Sequence, residues 1–166
     1  MHKVFLLLGG NLGDRCSNLQ KARELIGQQA GKVVKESSYF ETEPWGFHHD
    51  QAFLNRVLLI ETELDPGILL RTVLSIEQKL GRVRNYHEGY RGRTIDIDIL
   101  FYDHLVMKEK ELTIPHPLLQ ERRFTMEPLA EIAPDFVHPV FGETMEQLLQ
   151  QCPDSSKVVK VKRENS

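Results

Sequence analysis

The chain has 166 residues, 40% of them hydrophobic and 27% charged, enough for one soluble domain with its own core and little room for a second. A formal net charge of −3 with a pI of about 6.2 argues against a protein that grips nucleic acid through a global basic field. The two cysteines, Cys16 and Cys152, have neither CxxC nor Cys/His spacing, so no zinc site or disulfide scaffold is signalled and a reducing cytoplasm is expected. Residues 4–8 form an apolar run shorter than a signal-peptide core and far shorter than a membrane span, and they read as a first buried strand.

After this strand, Gly9-Gly10-Asn11-Leu12-Gly13-Asp14 reads as a turn into a helix. It lacks the GKS or GKT ending of a Walker loop, so ATP binding cannot be argued from it. Leu19, Ala22, Leu25, Ile26 and Ala30 recur at helical spacing, with Gly27 or Gly31 available as a stop. Residues 32–42 read as one strand and 43–50 as a Pro/Gly loop. Residues 53–64 form a strand apolar on both faces around Val57–Ile60, hence central in its sheet. Asp65-Pro66 opens a helix well, Leu69, Val73, Ile76 and Leu80 form its buried stripe, and Gly81 suits its C-terminal cap. Glu77 borders that stripe, either as a flank residue reaching outward, the reading favoured by position, or as a ligand group.

Residues 82–93 are a long loop with Gly89 and Gly92, the composition of a lid that could close over a ligand. A strand follows at 94–102. Short strand pieces are expected at 105–107 and 112–114, a partly helical stretch at 118–132 broken at Pro128, a short helix at 145–151, and an edge strand or tail at 157–162. The order strand, helix, strand, strand, helix, strand predicts an α+β chain with a ferredoxin-like βαββαβ core: one domain over 1–166, an antiparallel sheet with helices on one face.

The run Arg93-Thr94-Ile95-Asp96-Ile97-Asp98-Ile99-Leu100-Phe101 carries the most chemistry. Alternation puts Ile95, Ile97, Ile99 and Phe101 on one face and Asp96, Asp98 and Leu100 on the other. Two carboxylates roughly 6.6 Å apart repel unless a cation lies between them. A hard divalent ion such as Mg²⁺, completing its shell with water and phosphate oxygens, would suit them; a half-solvated edge strand with two surface acids is the plain alternative.

The neighbourhood favours the ion. Arg82, Arg84, His87, Arg91 and Arg93 precede or flank the pair, and His116, Arg122 and Arg123 follow it. Arginine forks match phosphate oxygens, so a polyphosphate substrate is the preferred reading over solvated surface pairs. His116 stands between two prolines, where a rigid surface turn would also explain it. Trp45 in its loop is either a lid on the core or a stacking surface. Asn55, in an apolar strand, needs either a backbone partner or a ligand's amide edge.

These segments together resemble the signature of the 6-hydroxymethyl-7,8-dihydropterin pyrophosphokinase family. The resemblance rests on Gly81-Arg82-Val83-Arg84, the 93–99 run, Thr113-Ile114-Pro115-His116-Pro117, Gly10-Asn11-Leu12-Gly13-Asp14, the segment 39–46 and Phe53-Leu54-Asn55. It implies transfer of the pyrophosphoryl group of ATP to the pterin's hydroxymethyl oxygen with release of AMP. It also implies that Asp96 and Asp98 hold two Mg²⁺ ions and, with Arg82 and Arg93, form the catalytic group. Glu77, Arg84, His116 and Arg122 would bind ATP, while Thr42, Glu43, Trp45, Phe53, Asn55, Tyr90 and Phe124 would form the pterin site. A cytoplasmic monomer with no nucleic-acid or membrane partner is expected. This chain departs from the family's common pattern at Gly10 (often Ser), Phe53 (often Tyr), Tyr90 (a lid Trp) and Glu111 (often Arg), and an acid at 111 would repel phosphate. The competing classes are a non-catalytic ferredoxin-like binding module, disfavoured by acids on the outward face, and a nucleotidyltransferase using the same acid pair.

Overall fold

The apolar run near the N-terminus becomes the centre of the sheet. In the computed structural model, which describes residues 1–42, 52–81 and 94–161, β1 (His2–Gly10) is buried from Val4 onward. It pairs antiparallel with β4 (Phe53–Thr62) on one side and β5 (Asp96–Tyr102) on the other. Strands β2 (Lys32–Glu36) and β3 (Tyr39–Thr42) both pair with β4. A small ribbon joins β6 (Met107–Lys108) to β7 (Thr113–Ile114), and β8 (Val158–Val161) adds to β3, giving the order β5-β1-β4-β3-β8 with β2 beside β4. This is the expected ferredoxin-like core with one strand added at its edge.

Local chemistry explains the helix starts. Asp14 accepts the Ser17 N–H ahead of α1 (Arg15–Gln29), and Asp65 accepts the Ile68 N–H ahead of α2 (Pro66–Lys79), whose first position is proline. Gly27 lies inside α1; the chain turns after Ala30 at Gly31, where a Cβ would strike the Glu61 carbonyl. The strand alternation then builds two cores. Val4, Leu6 and Leu8 pack with Leu19, Ala22 and Ile26 of α1 and with Leu69, Val73 and Ile76 of α2. Phe5 and Leu7 pack on the opposite side with Met126 and Leu129 of α3 (Arg123–Ile132) and Met145 and Leu148 of α4 (Met145–Gln150).

Four expectations are corrected. Helices cover both faces of the sheet, because the central strands are apolar on both. The predicted strand 32–42 is split at Ser37-Ser38. There Ser37 Oγ accepts the Val57 N–H, the buried Arg56 donates through Nε and Nη2 to Ser37 O, and its Nη1 donates to the Tyr39 hydroxyl. Pro128 lies within α3 without ending it and is buried there, so its packing offsets the lost helix bond. Finally, the ladder between β1 and β5 shifts between Phe5 and Leu6, pairing Phe5 with Phe101 but Leu6 with Ile99. The extra residue, Leu100, forms a bulge, so Phe101 joins the α3/α4 core instead of the Ile95, Ile97, Ile99 face.

Candidate active site

Register alone gathers most of the described candidate residues onto one end of one face. Residues opposite each other in a ladder share a face, and Thr42 pairs with Phe53, Asn55 with Gly9, Gly9 with Asp96, and Leu7 with Asp98. Thr42, Phe53, Asn55, Asp96 and Asp98 therefore project to the same side, the side covered farther along by α3 and α4. Asn55 is 4% exposed, and a Cβ on Gly9 would run into its Oδ1, so the amide lies across the glycine toward Asp96. Near it, Thr42 Oγ1 is buried with no hydrogen-bond partner among the described residues. A buried amide beside an unpartnered buried hydroxyl offers the donors and acceptors that a ligand's amide edge would meet.

Across β1 from Asn55, Asp96 and Asp98 are half-buried. Among the described residues no group of three or more His, Cys, Asp or Glu could hold a metal. The pair thus offers two carboxylates to an ion that must find its remaining oxygens on substrate or water, which is how Mg²⁺ is held with phosphates.

His116 is tied to this strand through the bulge: its N–H donates to Leu100 O at 3.0 Å. Its ring Nδ1 accepts the Leu118 N–H at 3.2 Å, which leaves the proton of the neutral ring on Nε2 as an outward donor. Burial pushes the His116 pKa below the ordinary histidine value, against the pull of the Asp98 carboxylate, and the Arg122 guanidinium lowers it further. Asp98, His116 and Arg122 are therefore electrostatic neighbours. Arg122 also lies over the Phe124 ring, 5.7 Å from Cζ to centroid, which brings a cation and an aromatic face to the entrance of α3.

The sequence profile of the 7,8-dihydro-6-hydroxymethylpterin-pyrophosphokinase family matches residues 5–134. The chain belongs to this family. A 2-amino-4-hydroxy-6-hydroxymethyldihydropteridine pyrophosphokinase of Methylorubrum extorquens is 42% identical over 93% of this chain and 96% of its own length. One from Aquifex aeolicus is 39% identical over 89% and 90%. The chain also matches the folic acid synthesis protein fol1 of Schizosaccharomyces pombe at 39% identity, covering 90% of itself but only 20% of that protein. Among solved structures, a Plasmodium falciparum HPPK-DHPS superposes with a TM-score of 0.73 at 18% identity, over 90% of this chain and 44% of the other; that likeness speaks for the fold. As a family member the chain is an ATP-dependent pyrophosphokinase acting on hydroxymethyldihydropterin in folate synthesis.

Of the pyrophosphokinase residues expected from sequence, Arg82, Arg84, Arg93, Glu43, Trp45 and Tyr90 lie outside the described residues, as do His87, Arg91 and the expected lid at 82–93. Glu111 is exposed beyond the end of β6. Glu77 departs from the outward reach its position suggested: it is 3% exposed, and Oε2 accepts the Ile97 N–H at 2.7 Å. Two contributors were missed. Gly9 makes room for Asn55, a need visible in sequence only as a glycine ending an apolar strand. Arg15 Nη1 bonds both Ala52 O and Glu41, each at 2.7 Å, tying together the stems on either side of 43–51; no sequence pattern marks it.

Proposed function

We propose that Asp96 and Asp98 hold Mg²⁺, two ions with ATP bound, and that the pterin lies along the same sheet face toward Asn55. The observation that carries this reading is the shared face: the acid pair with its neighbours His116 and Arg122 on one side of β1, and the buried Asn55 with the unpartnered Thr42 hydroxyl on the other. Asn55 and Asp96 flank β1, so strand spacing separates them by about 10 Å, a span suited to a flat bicyclic ring with a hydroxymethyl arm.

In this reading the Asn55 amide pairs with the pterin's amide edge, Thr42 hydrogen-bonds beside it, and Phe53 and Phe124 flank the ring. The hydroxymethyl oxygen, so directed toward the acids, attacks the β-phosphorus of ATP as the bond to the α-phosphate oxygen breaks and AMP leaves. The neutral His116 donates its Nε2–H to a phosphate oxygen, and Arg122 places a permanent charge beside it. Mg²⁺, when bound, supplies charge neutralisation on the phosphates and acidifies the alcohol. Arg82, Arg84 and Arg93 add positive charge, and Glu43, Trp45 and Tyr90 complete the pterin pocket, on the strength of the family motifs. The enzyme works as a cytoplasmic monomer without nucleic acid or membrane. No helix among the described residues is long and apolar enough to cross a membrane.

Incubation with ATP, Mg²⁺ and 6-hydroxymethyl-7,8-dihydropterin tests the reading. AMP release that depends on the pterin is expected. Pyrophosphate release would favour a nucleotidyltransferase, and no turnover would favour a binding module.

A further inference from the structure

An edge strand is the least constrained place in a sheet to hold two like charges at a fixed spacing. β5 is bonded to β1 on one side only. Residues of an antiparallel strand bond alternately inward and outward, and Ile97, the residue between the two aspartates, sends its N–H outward to Glu77 Oε2 at 2.7 Å. Asp96 and Asp98, its neighbours in the alternation, face β1 with their backbones.

Glu77 is carried by α2, whose Leu69, Val73 and Ile76 are 0% exposed in the first core, so the acceptor sits on a rigid element. A carboxylate only 3% exposed is expensive to bury, and an apolar residue would continue the helix's stripe at less cost. Its position, bonded to the backbone between the two acids, supplies a reason for keeping it.

We infer that Glu77 is a positioning residue: by holding the outward amide of Ile97 it fixes the free edge of β5, and with it the separation and direction of the Asp96 and Asp98 carboxylates. This rests on the reading that those two acids hold the divalent ion. A charge-assisted bond to the backbone is the stronger kind, and positioning within a fraction of an ångström is what an ion site requires. Glu77 thus acts on the ion through the strand and not on the nucleotide.

The test uses the full chain with Glu77→Leu, Glu77→Gln and Asp98→Asn. Mn²⁺ affinity is read by electron paramagnetic resonance in the presence of a nonhydrolysable ATP analogue and pterin, and analogue affinity is read separately in EDTA. For Glu77→Leu the expected result is about tenfold weaker Mn²⁺ binding and a similar loss of kcat, with analogue affinity in EDTA unchanged. Glu77→Gln keeps an oxygen for the Ile97 amide and should bind Mn²⁺ within about threefold of the unsubstituted enzyme, with slow hydrogen exchange at Ile97. Unchanged Mn²⁺ affinity in Glu77→Leu overturns the inference. So does a Gln variant that keeps Ile97 protected yet binds Mn²⁺ tenfold more weakly, which decides the matter even if the Leu variant does not fold. Weaker analogue binding in EDTA would instead make Glu77 a nucleotide contact. Asp98→Asn with undiminished Mn²⁺ affinity removes the underlying ion reading, a failure distinct from that of Glu77.

Discussion

The two faces of the sheet are built from the same strands yet do different work. On one face α1 and α2 bury an aliphatic layer that includes Leu6, Leu8, Ile60, Ile97 and Ile99. On the other, α3 and α4 cover Phe5, Leu7, Val57 and Phe101, while one end carries Asp96, Asp98 and Asn55 in positions where a core would want apolar groups. The side chains of β5 alternate between these faces one residue at a time, so a single strand contributes Ile97 to the sealed core and Asp96 and Asp98 to the site. The lesson is that site residues here can be altered with little loss of fold, whereas their immediate chain neighbours cannot.

Substitutions on the two faces should therefore break this contrast in opposite ways. The largest effect is expected for Asp96→Asn or Asp98→Asn: kcat falls about 10²–10³-fold or more, as for loss of a main transition-state charge stabiliser, with the urea midpoint nearly unchanged. Unfolding of either variant would mean that the acids serve the structure instead. Leu6→Ala on the sealed face should cost ~2–5 kcal/mol in urea unfolding, yet leave kcat and KM of the folded fraction close to normal; a selective rise in either KM would show that the sealed face communicates with the site.

Gly9→Ala sharpens the comparison, because the added methyl lies on the site face. It should displace the Asn55 amide and raise the pterin KM by about tenfold, the scale of one lost ligand hydrogen bond, while the ATP KM stays put. Equal changes in both KM values would locate the disturbance elsewhere.

The smallest effect is on the pH dependence of stability. Burial lowers the pKa of His138, and burial with Arg122 lowers that of His116. Both rings are then neutral in the fold where the unfolded chain would bind protons, so their contribution to stability is present above about pH 6.5 and is lost as pH falls below it. Urea midpoints should drop between pH 7.5 and pH 5.5, and His138→Asn, which keeps an acceptor for the Val140 and Phe141 amides now bonded to Nδ1, should flatten that slope. A slope unchanged by the substitution would remove His138 from the explanation.

Much of this was legible in the sequence because it depends on local rules. Periodicity placed the central strands and both long helices, Asp65 caps where its side chain can, and the alternation of Asp96 and Asp98 needed only the strand period. What escaped notice was set by contacts distant in sequence. The bulge that moves Phe101 to the other core arises from the pairing of β5 with β1. The division of 32–42 follows from a buried Arg56 that spans Ser37 and Tyr39. The inward turn of Glu77 depends on an amide twenty positions on, and the clearance at Gly9 on Asn55, beyond α1, β2 and β3 in the chain.

The most direct measurement is a crystal structure of the enzyme with a nonhydrolysable ATP analogue, Mg²⁺ and hydroxymethyl-dihydropterin. Carboxylate oxygens of Asp96 and Asp98 are expected at about 2.1 Å from Mg²⁺, with the pterin's amide edge on Asn55. Both carboxylates lying beyond coordinating distance while nucleotide and ion are bound elsewhere would contradict the assignment.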